Sequence, residues 1–248
     1  MPINIRTNVE SLNAQRNLGS ATSKLQESYS RLSSGLRITR AKDDAAGLAI
    51  ADRLRADARI ATVAVRNAND GISIIAITDG AMDATSNVLT RMAELAEQSA
   101  NGVFANSQRT ALQAEFEALG SEIQRIAQTT EFNGLRLLSG TGNVSFQIGF
   151  DGSETSRVSY DGVDSTLLAL NLADTDGSAL NISIIDATGT IEDSQANARA
   201  ALDAVKAAIG SLSASRGVLG ATESRLNVAI DNLQIARENF SAAESRIR

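Results

Sequence analysis

The sequence has no cysteine, no histidine and no tryptophan, and its single proline is Pro2. Each absence excludes a class of chemistry. Without cysteine there is neither a disulfide framework nor a thiolate nucleophile, and the redox compartment is left open. Without histidine the commonest general base and the commonest metal ligand are missing. No glycine-rich phosphate loop is present. We therefore expect no enzyme activity, no cofactor and no metal. Nothing after Pro2 can break a helix by proline chemistry. Aromatic residues are only 3% of a chain that is 43% apolar. Leu, Ile, Val and Ala must fill the interior, which suits helical coils better than a globular enzyme core. No apolar run is long enough to span a membrane. The opening Met1-Pro2-Ile3-Asn4-Ile5-Arg6 lacks the apolar core of a secretory signal. A net charge of -6 argues against a nucleic-acid backbone as partner.

What the sequence does contain is a heptad. Val205, Leu212, Leu219, Leu226, Leu233, Phe240 and Ile247 recur at an unbroken seven-residue spacing. Such a repeat keeps one seam facing a partner helix over many turns. Small residues beside it, Ala208, Ala229, Ala236 and Ala243, let backbones approach closely. As a helix this run is roughly 65 Å long, too long for most globular cores, so its partners are sought elsewhere in the chain. Leu18, Leu25 and Leu32 repeat the spacing and predict a helix from after Asn8 to near Gly35, where a left-handed C-cap fits.

Asp43 and Asp44 open the next helix. Two adjacent carboxylates could be a catalytic pair, but the helix-start reading is far better, because carboxylates complement free N-terminal amides. Leu54, Ala58, Ala61, Val65, Ala68, Ile72 and Ile75 step by four and three, a seam that continues less regularly through Met82, Leu89, Met92 and Leu95. Gly71 and Gly80 each weaken the helix by about 1 kcal/mol. A break is expected near Asn101-Gly102, with Asn106 capping a helix whose seam is Leu112, Phe116, Leu119, Ile123 and Ile126. Beyond Asn133-Gly134 the period changes to two: Val144, Phe146, Ile148 and Phe150 read as a strand, Val158 and Tyr160 as a returning one, and Asn181 to Ile185 as another. From about Glu192 the chain is helical again.

The expected architecture is mainly α: a long antiparallel helical rod or coiled-coil bundle formed by both chain halves, with a small insert containing a β-hairpin. The division is 1–42 (N-terminal helix and connector), 43–139 (first half of the helical core), 140–190 (β-rich insert) and 191–248 (second half of the core). Arg91 and Glu94, three apart beside a core leucine, Leu95, form on their own a surface pair contributing only about 0.2–0.5 kcal/mol.

The chain resembles bacterial flagellin over nearly its whole length. Ile3-Asn4-Ile5-Arg6-Thr7-Asn8, Leu32-Ser33-Ser34-Gly35-Leu36-Arg37-Ile38 and Asp43-Asp44-Ala45-Ala46-Gly47-Leu48-Ala49-Ile50 are similar to the family's N-terminal motifs. Gln98-Ser99-Ala100-Asn101, Phe132-Asn133-Gly134, Leu219-Gly220-Ala221, Arg225-Leu226 and Ser245-Arg246-Ile247 continue the series. The order and spacing carry the signal. The short middle departs from the many flagellins with bulky outer domains. The family's terminal helix continues beyond the position of Arg248, so the expectation is a truncated C-terminus that leaves residues 1 to 40 unpaired and disordered in an isolated monomer.

The resemblance implies a structural subunit of the flagellar filament, secreted and extracellular. It implies export by the flagellar type III apparatus, handling by export and chaperone machinery, and self-assembly through helical packing for motility. It also implies recognition of the monomer by Toll-like receptor 5. Leu89-Thr90-Arg91-Met92-Ala93-Glu94-Leu95-Ala96 matches the recognised segment, and Arg91, Glu94, Leu95 and Glu115 fall on contact positions; Thr90, Ala93 and Glu97 depart from the activating version. Arg91, Glu94 and Leu95 are expected to share one helix face that packs between subunits first and meets the receptor only in free monomer. A hook–filament junction protein is the nearest alternative. A flagellin-like surface binding protein is another, although residues 140–190 offer little basic or aromatic surface for it.

Overall fold

A computed structural model describes residues 8–140, 142–173, 180–186 and 190–248. In order it contains α1 (Val9–Ser34), α2 (Ala45–Ala100), α3 (Asn106–Thr129), β1 (Glu131–Phe132), β2 (Leu135–Arg136), β3 (Asn143–Gln147), β4 (Arg157–Asp161) and α4 (Ile191–Ile247). The fold is mainly helical with two small antiparallel hairpins. Contacts divide the chain into two compact units, residues 1–62 with 233–248 and residues 63–232. Each of the long helices α2 and α4 contributes to both. No described helix is long and apolar enough to cross a membrane.

In the first unit α1 begins where Asn8 accepts a hydrogen bond from Ser11 N–H and ends at Gly35, whose φ of 67° is left-handed. An L-residue would be strained there. This helix buries none of its residues: Leu18, Leu25 and Leu32 are 71%, 56% and 81% exposed. The connector is folded. Asp43 Oδ2 accepts from the Thr39 and Arg40 amides at 3.2 and 3.1 Å and from the Thr39 hydroxyl at 3.1 Å. Burial pushes this carboxyl up, but those hydrogen bonds, with Arg31 3.8 Å away, outweigh it and hold the pKa below the ordinary carboxylate value. Asp44 caps α2 by accepting from Gly47 N–H at 2.8 Å. The start of α2 lies antiparallel to the end of α4. Arg55 pairs with Glu244 at 2.7 Å, and Arg37 donates from its backbone to the Arg248 carbonyl.

In the second unit α2 presents a buried row at steps of three and four: Ala64, Ala68, Gly71, Ile75, Thr78, Met82, Thr85, Leu89, Met92, Ala96 and Ser99. The row is rotated slightly from the apolar pattern of the sequence, so Val65 and Ile72 flank the seam half-buried. Its polar members are satisfied locally. Thr78 and Thr85 hydroxyls donate to the carbonyls of Ile74 and Ala81, one turn back, which lets a threonine occupy a core position. The facing row of α4 is Ala198, Ala201, Val205, Ala208, Leu212, Leu219 and Leu226, all buried. α2 and α4 run antiparallel here: Arg216 clasps Asp79 with two bonds of 2.7 and 3.1 Å and reaches Asp83 at 3.0 Å. These hydrogen bonds, Asp79's foremost, raise the Arg216 pKa above its ordinary value.

α3 returns along α2 and buries Arg109, Gln113, Phe116, Gly120, Ile123 and Ala127. Its seam is thus offset from the expected one, with Leu112, Leu119 and Ile126 half-buried on the flank. Asn106 is its first helical residue rather than its cap; the Gln108 side chain instead accepts from Ala105 N–H at 3.0 Å. After α3, Asn133 and Gly134 at positive φ of 51° and 79° turn the two-residue hairpin β1–β2. This is the left-handed pair that a tight hairpin requires.

β3 and β4 pair with Val144 opposite Tyr160 and Phe146 opposite Val158. The strand ends at Gln147, short of the expected Ile148 and Phe150, because the Ile148 and Gly149 amides both turn to the Ser156 carbonyl. Phe146, Val158 and Tyr160 face inward, and Asn67 of α2 ties the hairpin down through the Gln147 carbonyl at 3.0 Å. The expected strand at 181–185 is absent. That segment is irregular and held by side chains: Gln113 accepts from Ile184 N–H at 2.8 Å, and Ser99 donates to the Ile184 carbonyl at 2.7 Å.

Candidate interaction surface on helices α2 and α3

Nothing among the described residues converges as a catalytic constellation would. The candidate site is a surface, and it follows from which residues the α2 and α3 seams leave outside. Met92 and Ala96 continue the buried row of α2. Arg91 and Glu94 stand outside it and point to solvent, 48% and 61% exposed. Glu115 stands on the outward side of α3, next to buried Phe116, and is 44% exposed.

Antiparallel packing brings the three together. Arg91 Nη1 lies 3.0 Å from Glu94 Oε2, and Nη2 and Nε lie 2.8 and 2.9 Å from Glu115 Oε1. The Glu115 hydrogen bonds foremost, then that of Glu94, raise the Arg91 pKa above its ordinary value. An exposed pair of this kind contributes little to stability. Its physical effect is to fix a guanidinium between two carboxylates on different helices, presenting a rigid, directional polar patch.

Leu95 does not belong to this patch. It is fully buried in the core, so the expectation that Arg91, Glu94 and Leu95 share one accessible face is corrected. Position 95 sits beside Met92 and Ala96 on the side of α2 that packs inward, and a leucine there stays with the core. Of the other seam residues, Phe116, Ile123, Leu212, Leu219, Leu226 and Leu233 are buried, while Leu54, Val65, Ile72, Leu112, Leu119 and Phe240 are half-buried.

Sequence reasoning missed Arg109. It is fully buried and donates from Nη1 to the Ile191 carbonyl and from Nη2 to the Asn101 carbonyl, both at 2.9 Å. One guanidinium thereby joins the end of α2, the start of α3 and the start of α4. The signal was present: Arg109, Gln113 and Phe116 step by four and three. An apolar-only pattern skips a charged residue whose two Nη donors are taken by backbone carbonyls.

Against this geometry, two family models match the chain. The bacterial flagellin N-terminal helical region matches residues 5–143 and the bacterial flagellin C-terminal helical region residues 202–248. Polar flagellin B/D of Vibrio parahaemolyticus is 54% identical over 155 residues, 62% of this chain and 41% of that protein. Flagellin B of Vibrio anguillarum is 53% identical over the same shares. The chain thus spans about 41% of the length of these relatives. Among solved structures, a flagellin from Bacillus cereus superposes with a TM-score of 0.53 at 26% identity, covering 68% of this chain and 88% of that one. A Vibrio parahaemolyticus protein described as flagellar hook-associated gives 0.66 at 16% identity, covering 83% and 99%. That second likeness is one of fold.

Proposed function

The chain belongs to the bacterial flagellin family, a family of structural proteins, and from that premise we propose that it is a subunit of the flagellar filament. The observation carrying the proposal is that the two family regions cover α1–α3 and most of α4, and that the seams of α2, α3 and α4 bury one core. Assembly needs no chemistry, only complementary surfaces. Export through the flagellar type III apparatus, with its chaperones, goes with that role and delivers the subunit to the extracellular filament. The segment division 1–42, 43–139, 140–190 and 191–248 serves it as N-terminal helix and connector, core half, small β-rich insert and core half. Electron microscopy of the intact gene product after polymerisation should show filaments. A product that stays monomeric at every protein concentration overturns the proposal.

Toll-like receptor 5 recognition belongs to the same proposal. The patch of Arg91, Glu94 and Glu115 is its polar contact and serves subunit packing in the filament, while Leu95 supports the helix from inside. In a pull-down with the receptor ectodomain, Arg91→Ala should bind less than the parent at an unchanged melting temperature. Leu95→Ala should melt earlier. Equal binding by the parent and Arg91→Ala removes the patch from the receptor reading, as does binding by filaments as strong as by monomer.

A further inference from the structure

The chain contains two Asn-Gly steps, Asn101-Gly102 and Asn133-Gly134, and all four residues are exposed. Asparagine is chemically labile on long exposure to heat or base. Lability is greatest before glycine, whose amide has no Cβ beside it to hinder attack. Local structure sets the two steps apart. Asn133 and Gly134 both hold the left-handed backbone, φ 51° and 79°, that turns the β1–β2 hairpin. In that conformation the Gly134 nitrogen stands anti to the Asn133 Cβ, away from the side-chain amide. Asn101 is arranged the other way. Its Oδ1 accepts from the Val103 N–H at 3.2 Å, which folds the side-chain carbonyl back over the Gly102 peptide. Its own N–H donates to the Gln98 carbonyl at 3.2 Å, and its backbone carbonyl accepts from buried Arg109 Nη2 at 2.9 Å. The Gly102 N–H has no acceptor among the described residues.

We propose that Asn101 is a site of spontaneous deamidation whose reactive geometry is supplied by the folded chain. The Gly102 nitrogen gives its proton to solvent and attacks Asn101 Cγ. The Cγ–Nδ2 bond then breaks, and the nitrogen takes up a proton from solvent and leaves as ammonia. The product is a five-membered succinimide, which water opens at either ring carbonyl. In sum, water is consumed and ammonia released. The Val103 N–H assists closure by holding Cγ near the nucleophile and stabilising charge on its oxygen. Arg109 assists opening at the other carbonyl: its guanidinium stabilises the oxyanion there and then pairs with the carboxylate released. Opening at that carbonyl yields isoaspartate, with the chain rerouted through Cγ. The end of α2 thereby gains a negative charge against Arg109 and an additional backbone carbon before α3.

Incubation of the full chain at mildly alkaline pH, followed by tryptic mapping, tests this. Asn101 lies in the peptide 92–109 and Asn133 in the peptide 126–136. Fragmentation localises the change and separates isoaspartate from aspartate. In the folded protein Asn101 should convert several-fold faster than Asn133, and in the urea-unfolded chain the two rates should converge. The isoaspartate share at Asn101 should be higher folded than unfolded. A Cβ on Gly102 meets only the far end of the Gln195 side chain, at 3.0 Å. Gly102→Ala should therefore slow conversion at Asn101 several-fold without changing Asn133 or the melting temperature. Equal rates at the two sites in the folded protein, a faster Asn133, or a preference for Asn101 that survives unfolding overturns the proposal. So does a Gly102→Ala chain that converts at Asn101 as fast as the parent. An isoaspartate share no higher than in the unfolded chain overturns the role given to Arg109.

Discussion

Gly71 and Gly80 lie on the same helix and differ in what surrounds them. A Cβ on Gly71 would stand 3.1 Å from both Leu226 Cδ1 and the Phe146 ring, so this glycine lets the β3–β4 hairpin and α4 close on α2. A Cβ on Gly80 would meet nothing within 4 Å. Gly80→Ala should therefore stabilise by about 0.5–1 kcal/mol, the ordinary helix gain. Gly71→Ala should destabilise by about 1–2 kcal/mol net, because overpacking outweighs that gain. Urea titration of the two variants checks the opposite signs. Leu226 is the partner across that contact and is fully buried. Leu226→Ala should cost about 2–5 kcal/mol, the range for emptying a buried leucine site. A melting curve matching the parent would place the seam elsewhere.

Among the elements, the connector before α2 has a structure that depends on pH. Its turn is organised by the Asp43 carboxylate accepting from Thr39 and Arg40. The folded pKa of this group is depressed. Its contribution is therefore present above the unfolded carboxylate value and is lost as pH falls through the lower folded one. Protection of residues 36–42 against amide exchange, taken relative to the intrinsic rate at each pH, should fall below about pH 4, on the acid side of an ordinary aspartate. Asp43→Asn, which cannot carry the charge, should show faster exchange already at neutral pH. Protection in this segment that is flat from neutral to acid pH, or unchanged in Asp43→Asn, would mean that other contacts hold the turn.

On the scale of the whole molecule, burial is unequal between the two units. The continuous core, from Ala68 through Leu226, lies wholly within residues 63–232. The other unit buries chiefly Ile38, Ala51, Ala61 and Leu233, and its α1 buries nothing. A lone helix in water is marginal, and local opening follows the scarcity of buried contacts. In dilute protein the amides of Leu18, Leu25 and Leu32 should therefore exchange freely, and those of Met82, Leu89 and Leu212 should exchange only with global unfolding. Strong protection of α1 in dilute monomer would show that its apolar face is covered.

Sequence alone determined the helices, because a seven-residue repeat of Leu, Ile and Val has no other stable solution than a helix with its seam against a partner. It also determined the ends of α1, from Asn8 and Gly35, and the β3–β4 pairing, from the alternation at Val144, Phe146, Val158 and Tyr160. It reached the family too, since motif order survives without any knowledge of contacts. Tertiary structure decided what periodicity cannot resolve. Apolar residues on the two flanks of a seam look equivalent in sequence, so Val65, Ile72, Leu112 and Leu119 were placed at the centre when they stand at its edge. Periodicity set Leu95 in the seam, where it is buried; it was the family resemblance that set it on a contact face with Arg91 and Glu94, and packing turns it in. Buried polar groups were invisible for the complementary reason. Arg109, Gln113, Thr78 and Ser99 belong to the core only because a carbonyl or amide from another turn or another segment meets each of them. That partner is brought into place by the fold, so a reading along one helix does not see it.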